Sequence, residues 1–295
     1  MFNNVLVGVD GRSGGRDAIA LAAQLLAHDG KLTLAHVRQG ELNPIHALTP
    51  KLLSEERTSS DEMLERERSH GGVEAELLSL TALSAGRALH EQAESQHADL
   101  IVVGSCSRGT IGRVMLGDDT RAALNGAPCA VAIAAHGLAE NPTIARIGVA
   151  YNRSPESQTA LTTARTLANE RDTSVHALQV LGIPLYGVGL FAIPIADTTD
   201  ERLKEANQPF EELADVQAQA IYGVLPGEEL AAFGDDLDLL VVGSRSYGPL
   251  KRLVLGSTSD YLERHAHCSL LILPRAPVRD IDEQDASSTE QLAAT

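Results

Sequence analysis

Two stretches of this chain combine small residues and cations at spacings suited to holding an anion. One runs Gly104-Ser105-Cys106-Ser107 and continues to Gly117-Asp118; the other runs Gly243-Ser244-Arg245-Ser246 and continues to Gly256-Ser257-Thr258. Each follows an apolar run, Leu100 to Val103 or Leu239 to Val242, and each precedes a segment with helical spacing. A glycine at the end of a buried strand lets the backbone turn sharply and come close to a ligand. A glycine just before a helix exposes N–H groups that have no partner and carry a partial positive charge, which suits a phosphate. Arg245, Lys251 and Arg252 add cations to the second stretch, against Arg108 and Arg113 in the first.

These stretches are copies. The offset of 139 residues between Gly104 and Gly243 holds for Arg113 and Arg252, for Gly117 and Gly256, and for Cys129 and Cys268. Upstream the offset becomes 142, relating Asp10 to Asn152 and Ala18-Ile19 to Ala160-Leu161. Persistent self-similarity of this length marks a duplicated unit.

In the first copy, strands are expected at Asn4 to Val9, Leu32 to Val37, Val73 to Leu80, Leu100 to Val103 and Ala130 to Ala134. Helices are expected at Asp17 to His28, around Leu52 to Arg68, at Gly86 to His97 and from Thr120 to Leu124. The second copy repeats the alternation from Ile147 to Leu273. Apolar strands alternating with helices predict an α/β fold: two tandem, doubly wound, parallel five-stranded sheets with helices on both faces. The expected domains are residues 1–137 and 144–275, joined by a Gly-, Asn- and Pro-containing linker from Gly137 to Thr143. Residues 276–295 read as a disordered acidic and polar tail.

Composition narrows the function classes. Apolar residues form 43% of the 295, enough for a buried core, while aromatics form 3% and Trp is absent. The core must then be Ala, Val, Leu and Ile, as in helices on a parallel sheet. A net charge of −16 argues against nucleic acid and anionic membranes as partners. Val180 to Ala196 is the longest uncharged run, but Pro184, Pro194 and several glycines interrupt it, so no membrane span is expected. It reads as a strand start followed by a lid, a partner surface or a buried loop. Three scattered cysteines form no disulfide framework; Cys129 and Cys268, each opening an apolar run, read as buried thiols. With no signal-like stretch at Met1 to Val5, a cytoplasmic location is expected.

The paired loops and the Asp after the first strand resemble the universal stress protein family in its tandem form. Nucleotide-binding members carry Gly-x2-Gly-x9-Gly-(Ser/Thr) after the fourth strand; here Gly243, Ser246, Gly256-Ser257 and Gly104, Ser107, Gly117-Asp118 stand at those places. The resemblance covers nearly the whole chain except the tail and implies the universal stress protein fold, of the adenine nucleotide alpha hydrolase-like kind. It implies ATP or a related adenine nucleotide, with or without Mg²⁺, as ligand, and a stress-response sensor or regulatory role. Base-side contacts carry over to Asp10 and Val37, and to Asn152 and Val180. Ribose and phosphate contacts carry over to Val103, Gly104, Cys106, Ser107, Gly117 and Asp118, and to Val242, Gly243, Arg245, Ser246, Gly256, Ser257 and Thr258.

The departures are Ser107 and Ser246 for glycine, Asp118 for Ser/Thr and Asn152 for Asp. A carboxylate at Asp118 caps a helix well but repels phosphate. The second copy therefore reads as the better phosphate site and the first as the better adenine site. The resemblance also implies pairing of the two domains about a pseudo-two-fold axis, with homodimerisation and an unidentified protein partner left open.

Two alternatives stand beside this reading. One is a nucleotide-free interaction protein of the same family. The other is an adenylating enzyme of the ATP-pyrophosphatase type, suggested by Ser13-Gly14-Gly15-Arg16-Asp17, although Asp10-Gly11-Arg12 separates that segment from its strand and a plain helix start is favoured. His265-Ala266-His267-Cys268 lacks a fourth metal ligand nearby and reads as a loop entering a strand. No nucleophile-base pair and no paired carboxylates demand catalysis, so any ATP hydrolysis is expected to be slow.

Overall fold

The computed structural model describes residues 1–38, 50–105, 121, 125–182, 195–210, 213, 215–244, 253 and 256–274. Five strands come from the first repeat: β1 (Phe2–Gly8), β2 (Leu26–Arg38), β3 (Glu76–Thr81), β4 (Leu100–Gly104) and β5 (Ala130–Ala134). Their helices are α1 (Ser13–Leu25), α2 (Pro50–Gly71) and α3 (Ala85–Gln96). The second repeat supplies β6 (Ile147–Ala150), α4 (Pro155–Asn169), β7 (Val175–Gly182), α5 (Ile195–Asn207), β8 (Val216–Gly223), α6 (Pro226–Phe233), β9 (Leu239–Gly243), α7 (Ser257–His265) and β10 (Ser269–Leu273).

Within each repeat all strand pairs are parallel, and the two five-strand sets have the same order, β3-β2-β1-β4-β5 and β8-β7-β6-β9-β10. The sets do not stay separate. β5 and β10 pair antiparallel, giving one ten-stranded sheet. In that pairing Ala132 faces Leu271, its own counterpart at the 139 offset, while Val131 faces Ile272 and Ile133 faces Leu270. This register places a pseudo-two-fold axis at the Ala132–Leu271 pair. The pairing also covers one edge of each repeat, which would otherwise offer open hydrogen-bonding groups, and leaves β3 and β8 as the edges of the joined sheet.

Parallel strands covered on both faces must be apolar along their whole length, not alternating. Val5, Val7, Leu100 and Val102 pack on one face with residues of α1 and α4, and Leu6, Ile101 and Val103 pack on the other with α3 and α6. Both layers run through the β5–β10 seam into the second repeat. Cys129 and Cys268 are buried as expected, and burial pushes both thiols up to about 12, which leaves them unreactive at neutral pH.

Several boundaries differ from expectation. α1 begins at Ser13, four residues before the expected start, because Gly14 and Gly15 pack into the sheet rather than forming a loop. β2 extends back to Leu26, taking up residues expected to finish the helix. β3 begins at Glu76, three residues later than its alternation suggested. The helix expected from Thr120 lies outside the described residues except for Arg121. So do residues 183–194 of the apolar run and the tail beyond Pro274. Among the described residues, no helix is long and apolar enough to cross a membrane.

The linker is anchored by Asp17, which the sequence marks only as part of a helix start. Asp17, buried on α1, accepts the N–H of Gly137 at 3.0 Å and of Ala139 at 2.8 Å, and lies 3.5 Å from His136 Nδ1. Its counterpart Thr159 instead donates its hydroxyl to Pro155 O at 3.0 Å. Across the seam, Gly126 N–H donates to Leu253 O and Leu253 N–H donates to Ala127 O, both at 2.9 Å. Arg121 meets the fully buried Glu263 of α7 at 2.6 Å. Burial raises the Glu263 carboxyl above its ordinary range, against the pull of Arg121.

Candidate functional site

In each set the chain runs outward one way from the first strand and the other way after the fourth. The crevice beyond the carboxyl ends of those two strands is where ligands bind in open α/β sheets. In the second repeat that crevice is a cavity of about 500 Å³, within the range of small-molecule sites. Its floor comes from the ends of β6, β7 and β9 through Ala150, Tyr151, Asn152, Leu178, Val180, Val242 and Gly243. Its walls are the starts of α4, α6 and α7.

The three helix starts differ. At α4 the sequence Asn152-Arg153-Ser154-Pro155 satisfies its own backbone: Asn152 Oδ1 accepts Ser154 N–H at 3.1 Å, and Ser154 Oγ accepts Ser157 N–H at 3.2 Å. Ser157 Oγ in turn accepts Asn152 N–H at 3.3 Å. At α6 the N-cap is Leu225, Pro226 follows, and Glu228 and Glu229 lie in the first turn, a poor place for another anion. At α7 the N-cap is Gly256, which provides no side-chain cap, and Ser257 and Thr258 put hydroxyls beside the uncapped N–H groups. An anion fits best there. Asp260 also lies in the first turn of α7, but Arg264 pairs with it at 2.8 Å and offsets its charge.

Gly256 is the point where the missing side chain matters most for space. A Cβ added there would meet none of the described residues within 4 Å, and Gly256 lines the cavity. Gly243 differs: an added Cβ would lie 2.6 Å from Glu156 O. Its bareness serves the approach of α4, and Gly243 also lines the cavity.

The cavity thus brings together Asn152, Val180, Val242, Gly243, Gly256, Ser257 and Thr258. Arg245 and Ser246 lie outside the described residues. Residues not anticipated are Glu156 and Ser157 on α4, Leu225 to Gly227 and Leu230 on α6, and Tyr261 on α7. Leu225 is 54% exposed, which is unusual for a leucine and shows only in the fold.

In the first repeat Asp10, Val37, Val103 and Gly104 stand at the ends of β1, β2 and β4, the same relative places. Asp10 Oδ1 accepts Arg12 N–H at 3.0 Å. Cys106, Ser107, Gly117 and Asp118 lie outside the described residues. A Cβ on Gly104 would sit 1.9 Å from Gly14 O, so two glycines let α1 rest directly on β4. Ser13-Gly14-Gly15 is a helix start in contact with the sheet.

The His265 to Cys268 segment does run from α7 into β10. His265 Nδ1 bonds Tyr261 O and its ring stacks on Tyr261 at 4.0 Å, while His267 contacts Asp235. Among the described residues no group of three or more His, Cys, Asp or Glu is placed to hold a metal.

Comparison with known proteins agrees with the architecture. The model of the universal stress protein family matches residues 1–135 and again 143–274. A universal stress protein of Methanocaldococcus jannaschii is 28% identical over 123 residues, 38% of this chain and 71% of that protein. One from Mycobacterium bovis is 27% identical over 188 residues, 60% of this chain and 62% of its own length. The crystal structure of a universal stress protein from Archaeoglobus fulgidus DSM 4304 superposes with a TM-score of 0.65 at 18% identity, covering 93% of this chain and 97% of that one. The duplicated sequence, the mirrored strand order and the two matches carry one conclusion: this chain belongs to the universal stress protein family, with two copies of the unit in tandem.

Proposed function

We propose that the second repeat binds an adenine nucleotide such as ATP and that the chain acts as a nucleotide-dependent regulatory module in a stress response. The observation that carries this reading is one cavity lined by Asn152, Val180, Gly256, Ser257 and Thr258 together. Phosphates would lie at the uncapped start of α7, taking the N–H groups and hydroxyls of Ser257 and Thr258. The base would lie toward β7, which is separated from β9 by β6, roughly 10 Å away at normal strand spacing. That separation suits a nucleoside with its phosphates extended. Leu178, Val180, Leu225 and Leu230 offer apolar surface for a flat ring. Mg²⁺ would arrive with the triphosphate, since no preformed metal cluster lies among the described residues.

Native mass spectrometry of the purified chain, followed by calorimetric titration with ATP and Mg²⁺, tests the reading. A bound nucleotide or saturable heat is expected. No bound species and no heat at millimolar ATP would leave the nucleotide-free interaction protein in its place.

A further inference from the structure

Gly256, Ser257 and Thr258 end a loop and begin a helix, and such a turn is only as well placed as the contacts on either side of it. The first repeat supplies a contact on each side. Before the turn, the fully buried Leu253 exchanges two backbone hydrogen bonds across the seam. Gly126 N–H donates to Leu253 O and Leu253 N–H donates to Ala127 O, both at 2.9 Å. Three residues of chain span roughly 11 Å at most, so Gly256 stays near Ala127. After the turn, Glu263, fully buried on α7, meets Arg121 at 2.6 Å.

Arg121, Gly126 and Ala127 belong to one short stretch. Asn125 N–H donates to Arg121 O at 3.2 Å, closing a helical turn just before Gly126. Gly126 then adopts a φ of +87°, which glycine takes without strain, and Ala127 is fully buried. Three residues further on the chain enters β5, the strand that joins β10. The stretch is thereby tied to the seam itself. At the offset of 139 the place of Gly126 is taken by His265, the last residue of α7, so this glycine is not a feature the two copies share. None of Arg121, Gly126 and Ala127 lines the cavity.

We infer that Arg121, Gly126 and Ala127 of the first repeat are positioning residues for the second repeat's site: they hold the turn at Gly256, Ser257 and Thr258 ready for phosphates, and a bound nucleotide tightens the seam in return. This rests on the nucleotide reading above. Ordering a loose turn at the moment of binding costs affinity, and a turn already held avoids that cost. Coupling between two equilibria is reciprocal, so the factor that docking of the loop adds to affinity is the factor that the ligand adds to docking.

The test measures both directions in the full chain. Gly126→Ala leaves the cavity lining untouched but strains the φ of +87°, which displaces the two groups that pair with Leu253. Calorimetry should show ATP with Mg²⁺ binding about fivefold or more weakly. Gly137→Ala is the control: it strains the same φ of +87° in the linker, where the N–H is held by Asp17, and should change affinity less than about twofold. In the unmodified chain, ATP should slow amide exchange at Gly126 by about fivefold or more. Exchange at Gly126 that ATP leaves unchanged overturns the inference while the nucleotide site stands. Equal losses of affinity in the two variants, or no loss in either, overturn it as well. The exchange measurement needs no variant, so it decides the matter even where Gly126→Ala melts too low to titrate. No heat with ATP in the unmodified chain removes both the inference and the reading beneath it.

Discussion

The starts of α1 and α7 both follow a glycine-containing loop at the carboxyl end of the sheet, and they use glycine in opposite ways. At α1, Gly14 meets Gly104 so closely that a Cβ on Gly104 would lie 1.9 Å from a carbonyl oxygen. At α7, Gly256 lines the cavity, and a Cβ added there would meet none of the described residues within 4 Å. The first glycine contact is a packing requirement and the second is a reserved space. Spacing in the sequence cannot separate these cases, because both are small residues beside a strand or helix end.

The sharpest way to break this comparison is to add one methyl group at each place. Gly104→Ala forces backbone apart and should cost about 3 kcal/mol or more in thermal or denaturant unfolding. Gly256→Ala, which trades an N-cap glycine for a poorer cap without a clash, should cost no more than about 1 kcal/mol. Equal losses at the two positions would remove the distinction.

Gly256→Val should weaken ATP binding about a hundredfold, as expected when β-branched bulk enters the space beside an anion site, and leave the melting temperature nearly unchanged. Gly117→Val, beside Asp118 in the first repeat, should change affinity less than about twofold by the same measure.

Ser257→Asp transfers the first repeat's carboxylate to the second. A carboxylate near a helix start adds about 0.3–1 kcal/mol of stability, yet should lower ATP affinity about tenfold or more through repulsion and occupied donors. Melting and titration moving in opposite directions would sharpen the account. Parallel movement would contradict it.

The smallest expected effects concern pH and two carboxylates of the second repeat. Burial raises Glu263 above its unfolded value, so the folded state holds the proton more tightly. Stability from this group is therefore greatest at low pH and falls as pH rises from the ordinary carboxylate range through the raised value. Asp238 runs the other way: burial raises it, but Arg146 at 2.9 Å and the N–H groups of Ala145 and Arg146 overcome that and lower it. Its contribution is present above the ordinary range and fades as pH falls through the lowered value. Denaturant melts of Glu263→Gln and Asp238→Asn across pH 3–7 should show slopes that change in opposite senses.

Much of this was legible because the duplication let one copy interpret the other. The strands were readable as apolar runs such as Leu100 to Val103, since burial on both faces leaves no room for polar residues. The cavity residues Asn152, Gly256 and Ser257 were readable from their positions after a strand and before a helix, whereas Val180 came only through the family resemblance. The joining of β5 to β10 was not legible, because Ala130 to Ala134 has the same pattern whether its second neighbour comes from its own repeat or the other. Asp17 was missed because a buried carboxylate that caps a linker looks, in sequence, like an ordinary polar position of a helix. Tyr261 and Leu225 were missed because they enter the cavity through the approach of α6 and α7, which strand-end spacing does not encode.

The most direct measurement is the stoichiometry of ATP binding by calorimetry, in the unmodified chain and in Gly256→Val. The account predicts one strong site per chain, lost in Gly256→Val while the fold melts at the same temperature. Two equal sites, or one strong site that survives Gly256→Val, would contradict it.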